Sequence, residues 1–467
     1  MGQSLPKAVT SIILEEDAGA PFRMGVAEMN GWRPSMEDAH VAFMQDSWGF
    51  FGVFDGHGGQ QCSSFVARRL TEELKAMKAV PPDDASVKSL MLRIDAEFLE
   101  AKQPSGSTGT FAFVVPEGEK IQLRVGNIGD SRVLLGRADG TMVEGSGTDG
   151  GLTTDHKPDN EVEAARIKRT GGTVQAIMGV ARVNGDLAVS RAFGDAQHKQ
   201  TGGPGQEDHP VSVEPEFATL SCDRSDFLML VCDGISEGNF PNREVVQLAA
   251  KELKTKEPAQ AAASVCRRAL ESGSMDNLSC MIVCFDGKGA GHKKELLPGP
   301  FTEPTHGAFR KAYAGMAERA GLTLEAAVEQ RYNLVRKMEQ ETNHKENGDA
   351  KPKEDKENGQ SLTTLLWPRS SEEEEKGPGL ELRRELRVFD GGPPEKLEGE
   401  ERTRWFKEWQ HGGAPNPGPQ LHDARGAFEL GRRRSQPFGD GAGAGLSGPP
   451  CPAPCSGGHG GEAATRH

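Results

Sequence analysis

Hydrophobic residues in this chain gather into short runs separated by turn residues. Phe111 to Val115, Ile121 to Val125, Ser131 to Gly136, Phe227 to Cys232 and Leu278 to Phe285 are rich in apolar or β-branched side chains and read as strands. Turn signals such as PEGE, GNIGD and RADG bound several of them. IQLRVGNIGDSRVLLGR reads as a hairpin, so antiparallel pairing is expected. Helical stripes come in pairs. Val66, Leu70, Leu74 and Met77 form one, and Leu90, Ile94 and Phe98 a second. Val245, Val246, Ala249 and Leu253 form a third, followed by Val265 and Ala269. Runs of antiparallel strands covered by helix pairs predict a layered α+β fold, not an alternating doubly wound sheet.

This patterning is dense from residue 20 to about 290 and then changes. Residues 291–343 read as a helical extension. Within it Thr323 can cap a helix whose Leu324, Val328, Tyr332, Val335 and Met338 make one apolar stripe, expected to pack on the main domain. From 344 to 467 Gly, Pro, Glu, Lys and Arg dominate. Such a segment buries too little apolar surface to offset the entropy of ordering, so it is expected to be mostly disordered.

A formal charge of -14 argues against a nucleic-acid partner, because phosphate backbones demand an excess of Lys and Arg. The eight cysteines have no disulfide-like rhythm, which suits reduced thiols in the cytoplasm or nucleus. No stretch approaches the roughly 18 apolar residues of a membrane span, and no signal peptide is expected. Gly2 hints at myristoylation, but Pro6 stands where that motif takes Ser or Thr. A monomer is expected.

The candidate chemistry lies in acids at strand ends. FFGVFDGHGG carries an apolar run into Asp55, DFLMLVCDG does the same at Asp233, and Asp276 stands just before the run LSCMIVCF. Asp130 sits in the GNIGD turn, and Glu37 and Asp38 stand upstream in GWRPSMEDAH. A carboxylate at the mouth of a buried strand is costly if unpaired, and few Lys or Arg neighbour these acids. Hard divalent cations such as Mg²⁺ or Mn²⁺ meet that need with oxygen ligands. A glycine beside the acid, as at Gly56, lets the backbone carbonyl approach as well. Two ions sharing Asp55 would activate a water for attack.

Taken in order, Arg33, Glu37-Asp38, His40, Asp55-Gly56-His57-Gly58-Gly59, SGSTGTFAFVV, GNIGDSR, LTTDHKP, RIKRTGG, RVNGDLAVSRAFGD, VCDG and MDNLS resemble the motifs of the metal-dependent protein phosphatases of type 2C over roughly residues 22–286. The resemblance implies a central β-sandwich flanked by helices, with two Mn²⁺ or Mg²⁺ ions at its edge. It also implies hydrolysis of phosphoserine and phosphothreonine in signalling phosphoproteins by direct attack of water. By the same resemblance Asp55 bridges both ions, and Asp233 and Asp276 hold the first. Gly56 offers its carbonyl to the second, Glu37 and Asp38 act nearby or through water, and Asp130 helps to bind a third, weaker ion. The family often has Trp and Asp where Ser236 and Glu237 stand, which puts that third site in question. Arg33 fits a phosphate clamp, and His57 fits a general acid for the leaving alkoxide. The segment from Thr170 to Asp186 resembles a flap whose Arg182 reaches substrate. His40 and His156 are expected to support the site.

Two other readings compete. A phosphatase-like scaffold without turnover would have lost ligands, yet Asp55, Asp233, Asp276, Arg33 and His57 are all present. Cys62 and Arg68 have the C-x₅-R spacing of tyrosine phosphatases, but CSSFVAR reads as helix and has none of the glycines that let backbone N–H groups ring a phosphate. In the tail, RRRSQP around Ser435 resembles a 14-3-3 docking site, and Ser370-Ser371 before four glutamates resembles an acidophilic-kinase site. Leu382, Leu386 and Phe389, and the island with Trp405, Phe406 and Trp409, could serve as docking helices.

Overall fold

The computed structural model describes residues 4–346 apart from 20, 82, 202, 204, 237, 288–290, 304 and 305, together with Glu400 and Arg404. The expectations about Gly2, Glu237, Ser370, Ser371, Leu382, Leu386, Phe389, Trp405, Phe406, Trp409 and Ser435 therefore lie outside the described residues. The strands run, in chain order, β1 (Val9–Gly19), β2 (Phe22–Gly31), β3 (Ala39–Met44), β4 (Gly49–Phe54), β5 (Gly56–His57), β6 (Gly106–Ser107), β7 (Gly109–Glu117), β8 (Lys120–Ile128), β9 (Arg132–Gly136), β10 (Val174–Ile177), β11 (Val180–Val183), β12 (Phe193–Gly194), β13 (Glu216–Asp223), β14 (Phe227–Val231), β15 (Leu278–Cys284) and β16 (Lys293–Leu297). The helices are α1 (Gln61–Ala76), α2 (Asp84–Glu100), α3 (Glu161–Arg169), α4 (Asp233–Ser236), α5 (Asn242–Glu252), α6 (Pro258–Glu271), α7 (Gly307–Arg319) and α8 (Leu324–Glu346).

Two antiparallel sheets carry the fold, with strand orders β16-β1-β2-β15-β14-β9 and β13-β8-β7-β4-β3. β4 explains how they stack. All six of its residues are buried. Phe51 and Val53 join the core between the sheets, whereas Phe50 and Phe54 point the other way, into a second core under α1 and α2. A strand covered on both faces therefore reads as an unbroken apolar run, while its side chains still alternate. Phe22 of β2 meets Phe51 edge-on at 5.7 Å, which ties the first sheet to the second. α5 and α6 cover the outer face of the first sheet, with Val245, Val246, Ala249, Val265 and Ala269 buried. The result is the α-β-β-α layering expected of the α+β pattern.

One local expectation fails. The GNIGD turn does not fold β9 back onto β8. Both edges of β8 are already taken, by β7 and β13, and β9 pairs with β14 in the other sheet. The turn is thus a crossing between sheets. The first sheet also extends past the 20–290 segment at both ends, because β1 pairs with β2 on one side and with β16 on the other. Beyond β16, α7 and α8 build a separate small core in which Phe309, Tyr313, Met316, Val328 and Tyr332 are buried with Val9 and Ile13 of β1. The side chains of Val335 and Met338 lie outside the described residues. Among the described residues no helix is long and apolar enough to cross a membrane.

Candidate active site

The candidate site forms where the chain passes from one sheet to the other. β2 ends at Gly31 in the first sheet and β3 begins at Ala39 in the second, so their connection carries Arg33, Glu37 and Asp38 across the sandwich edge. Ala39 pairs with Phe54, which makes Asp38 and Asp55 neighbours one residue beyond that pair. In the first sheet Val231 pairs with Cys280 and Leu278 with Met29. That register brings Asp233, two residues past Val231, and Asp276, two before Leu278, to the same edge. The crossing after β8 adds Asp130. The ordinary ladder register of antiparallel strands thus gathers five aspartates from separate connections.

These acids outnumber their cations. Arg33 Nη2 ion-pairs with Asp276 Oδ2, and Lys157 Nζ with Asp130 Oδ2. Asp38, fully buried, accepts from Ser279 Oγ at 2.6 Å through Oδ2. Its Oδ1, like Oδ1 of Asp233, is buried and meets no partner among the described residues. Burial pushes the Asp38 carboxyl up to about 7, and Asp276, Glu28 and Asp233 push the same way against the Ser279 hydrogen bond. Asp55 is held well above the usual carboxylate range by burial and then by Asp38, Asp233, Asp276 and Asp130. Burial also raises Asp130, Asp233 and Asp276. Among the described residues no three His, Cys, Asp or Glu side chains form a finished chelating set. Arg33 engages one oxygen of Asp276, and Lys157 one oxygen of Asp130.

The carboxylate set nevertheless fits hard cations. Buried acids raised by one another, with two orphaned oxygens, are what positive charge would relieve, and carboxylate oxygens are the donors Mg²⁺ and Mn²⁺ prefer. Gly56 fits as well. A Cβ there would lie 2.3 Å from the Glu37 carbonyl oxygen and 2.8 Å from Ser63 Oγ, so only glycine lets this backbone lie against the Glu37 loop. The Glu37 carboxylate accepts from Ser35 Oγ at 2.8 Å and from Gly59 N at 3.0 Å, which fixes the loop after Asp55.

Arg33 keeps half its side chain in solvent. Burial of the remainder works against its charge, but Asp276, Asp55 and Asp233 outweigh that and raise its pKa. His57 Nε2 lies 2.7 Å from Asp195 Oδ2. Burial disfavours its imidazolium, and Asp195 outweighs burial to raise its pKa. Arg182 makes no hydrogen bond or ion pair to the acid cluster among the described residues. It lies on the exposed β10-β11 hairpin, where its Nη1 donates to Asp186 O at 2.5 Å. His40 bridges Glu28 and Glu15, with ring nitrogens at 3.0 and 3.6 Å from them. His156 accepts from Gly129 N at its Nδ1, 3.0 Å away, and so donates from Nε2 to Glu216. Cys62 is buried in α1, with its thiol raised well above the ordinary value by burial, and Arg68 pairs with Glu72, so the C-x₅-R spacing has no phosphate loop behind it.

Four supporting residues went unassigned from sequence. Asn277 accepts from Glu37 N at 2.9 Å and donates to Asn30 O at 2.8 Å and Ser35 O at 3.0 Å, tying the Arg33–Asp38 loop to β15. Its place beside Asp276 was the available signal. Lys157 and Asp195 lie inside the quoted motifs LTTDHKP and RAFGD without a role. Arg319 of α7 reaches Glu28, and its Nη2 donates to the Asp38 carbonyl at 2.8 Å. No local signal marks it, because its partners are about 280 residues away.

The chain matches the family profile of Protein phosphatase 2C over residues 22–278. It is 34% identical over 315 residues to Protein phosphatase 1B of Mus musculus, covering 61% of this chain and 76% of that protein. To Protein phosphatase 2C homolog 2 of Schizosaccharomyces pombe it is 33% identical over 312 residues, covering 62% and 80%. The crystal structure of a phosphatase from a pathogenic strain of Toxoplasma gondii superposes with a TM-score of 0.53 at 28% identity, covering 61% of this chain and 99% of that one. The chain thus shares sequence and fold with these enzymes and belongs to the protein phosphatase 2C family of protein serine/threonine phosphatases.

Proposed function

We propose that this protein hydrolyses phosphoserine and phosphothreonine in phosphoproteins by direct attack of water, with Mn²⁺ or Mg²⁺ as cofactor. The reading is carried by one observation: the buried Asp38 and Asp233 each keep an oxygen with no partner among the described residues, inside a set of acids that raise one another. A buried unpartnered polar atom costs roughly 1–3 kcal/mol, and more if charged, so such a set is retained for what it binds. Asp55 would be shared by two ions, with Asp233 and Asp276 holding one and the Gly56 carbonyl the other. Glu37 and Asp38 would act beside them or through water. When bound, paired divalent cations supply charge for the phosphate and lower the pKa of the attacking water.

The chain's own groups do the rest. Arg33 has one guanidinium nitrogen on Asp276, which leaves its other donors to grip phosphate oxygens bidentately. His57 protonates the departing seryl or threonyl oxygen, a step worth roughly 10²–10⁴ in rate for a poor leaving group. Asp130 holds Lys157 through Oδ2, so a third, weaker ion would share this carboxylate with an ammonium. Arg182 would reach substrate from the exposed β10-β11 hairpin, with the guanidinium donors that the Asp186 carbonyl leaves free. The silent-scaffold reading has no observation in its favour. Hydrolysis of a phosphothreonine peptide by protein stripped with chelator, with and without added Mn²⁺, tests the proposal. Turnover restored by Mn²⁺ in wild type and not in Asp55→Asn is expected. Turnover indifferent to both would refute it.

A further inference from the structure

The three-stranded sheet β12-β6-β5 does something that neither main sheet does. His57 of β5 pairs with Gly106 of β6, and Gly106 pairs on its other side with Gly194 of β12. Asp195 follows directly, so His57 and Asp195 flank the same glycine. A Cβ on Gly106 would lie 2.2 Å from Asp195 Oδ2 and 2.3 Å from His57 Nε2. The carboxylate thus reaches the imidazole over a residue that must be glycine. We propose that Asp195 is a positioning residue for catalysis. It fixes the His57 ring by accepting its Nε2–H, so that Nδ1 is the nitrogen presented to the leaving oxygen. This inference rests on His57 being the proton donor.

The support beneath Asp195 is built to hold one geometry. Its backbone is left-handed, with φ 50° and ψ 47°, a conformation that Asp adopts more readily than most residues but still at a cost. Gly194, just before it, is also left-handed at φ 73° and donates its N–H to Asp95 Oδ1 of α2 at 2.7 Å. Lys199 Nζ lies 2.9 Å from each Asp95 oxygen and 2.8 Å from Ala192 O. Both side chains of this pair are essentially buried, 2% and 1% exposed. After Asp195 the chain closes a tight turn in which His198 N donates to the Asp195 carbonyl at 2.8 Å. A buried ion pair is weak evidence for stability and makes sense when it pins a backbone that must not move. Here the pinned backbone carries Asp195, itself 2% exposed. The imidazole, 29% exposed, keeps Nδ1 free of protein partners among the described residues.

In the reaction the phosphorus–oxygen bond to the serine or threonine breaks as water adds to phosphorus. The proton on Nδ1 passes to the departing oxygen, and the ring is reprotonated from solvent. Asp195 changes neither charge nor bonding. Its loss should therefore hurt only where the leaving group needs a proton.

The test compares a phosphothreonine peptide with p-nitrophenyl phosphate, whose weakly basic leaving group departs unaided. The variants are Asp195→Asn and Asp195→Gly; glycine removes the carboxylate yet suits the positive φ, so folding is protected. Asp195→Gly should lose about 10²-fold in kcat on the peptide and at most about 3-fold on p-nitrophenyl phosphate, as for loss of an oriented acid. His57→Ala should show the same split, and the double variant should be no worse than His57→Ala alone. Manganese binding measured by calorimetry should be unchanged in Asp195→Gly. Equal losses on both substrates, or additive losses in the double variant, would overturn the positioning role while leaving the His57 reading intact. A His57→Ala enzyme with no split would overturn both.

Discussion

Two kinds of buried charge stand a short distance apart in this protein, and they are treated in opposite ways. Under the mini-sheet, Asp95 and Lys199 satisfy one another, and each also binds backbone. On α3, Glu163 is likewise saturated by Arg166, Arg191 and Ser190. At the sandwich edge Asp38, Asp55 and Asp233 face mainly other acids, and two of their oxygens have no partner among the described residues. Burying charge is expensive in both places. In the first every charged group has partners from the chain, so the charges are architecture, although burial still outweighs Lys199 and leaves the Asp95 carboxyl raised. In the second such partners are lacking among the described residues, so the charges imply something from outside the chain.

The largest effect that could break this comparison is catalytic. Asp233→Asn should lower turnover of a phosphothreonine peptide on the order of 10³-fold, the scale of losing one charge-stabilising group. Urea denaturation of the cation-free protein should show the variant at least as stable as wild type, because it relieves repulsion. Lys199→Met should do the reverse: urea denaturation should report a loss of about 3–5 kcal/mol, the cost of stranding Asp95 as an uncompensated buried ion. A Lys199→Met protein as stable as wild type would erase the distinction between the two regions.

Glu163 gives a smaller, pH-dependent handle. Although burial would raise its carboxyl, Arg191, Arg166 and Ser190 outweigh burial and hold it down at about 2. A depressed carboxyl stabilises the fold above its unfolded pKa, and that contribution is lost as pH falls through the folded value. Wild type should therefore lose stability between about pH 4.5 and pH 2. Glu163→Gln should lose about 1–3 kcal/mol at neutral pH and show a flatter acid limb in thermal melts. At the small end, Arg23 bridges Glu257 and Asp286, both partly exposed. Arg23→Ala should move the urea midpoint by no more than about 1 kcal/mol equivalent, since solvent screens such pairs. A larger shift would mean that exposed ion pairs here matter more than the comparison allows.

The same contrast explains what could be read from the chain. Asp55, Asp233 and Asp276 were visible because each interrupts or abuts an apolar run, and a carboxylate in that position has no cheap local explanation. The strands carrying them, β4, β14 and β15, were visible as well, since burial on both faces leaves an unbroken apolar signature. The crossing from β8 to β9 was misread as a hairpin, because a Gly-rich turn looks the same whether it returns the chain to its own sheet or delivers it to another. Asp95, Lys199 and Asp195 are separated by up to 104 residues and meet only in the folded chain, so neither composition nor spacing joins them. Arg319 is a similar case, reaching the Asp38 carbonyl from a helix beyond the segment that resembles the family.

Everything turns on whether the edge acids exist to hold cations. Calorimetric titration of Mn²⁺ into cation-free protein, on wild type and on Asp55→Asn, asks this without relying on turnover. The account predicts saturable binding of at least two ions per chain in wild type. It also predicts loss of that binding in Asp55→Asn, a variant whose cation-free fold is no less stable than wild type. Equal binding by both proteins, or an Asp55→Asn chain that melts well below wild type before any cation is added, would contradict it.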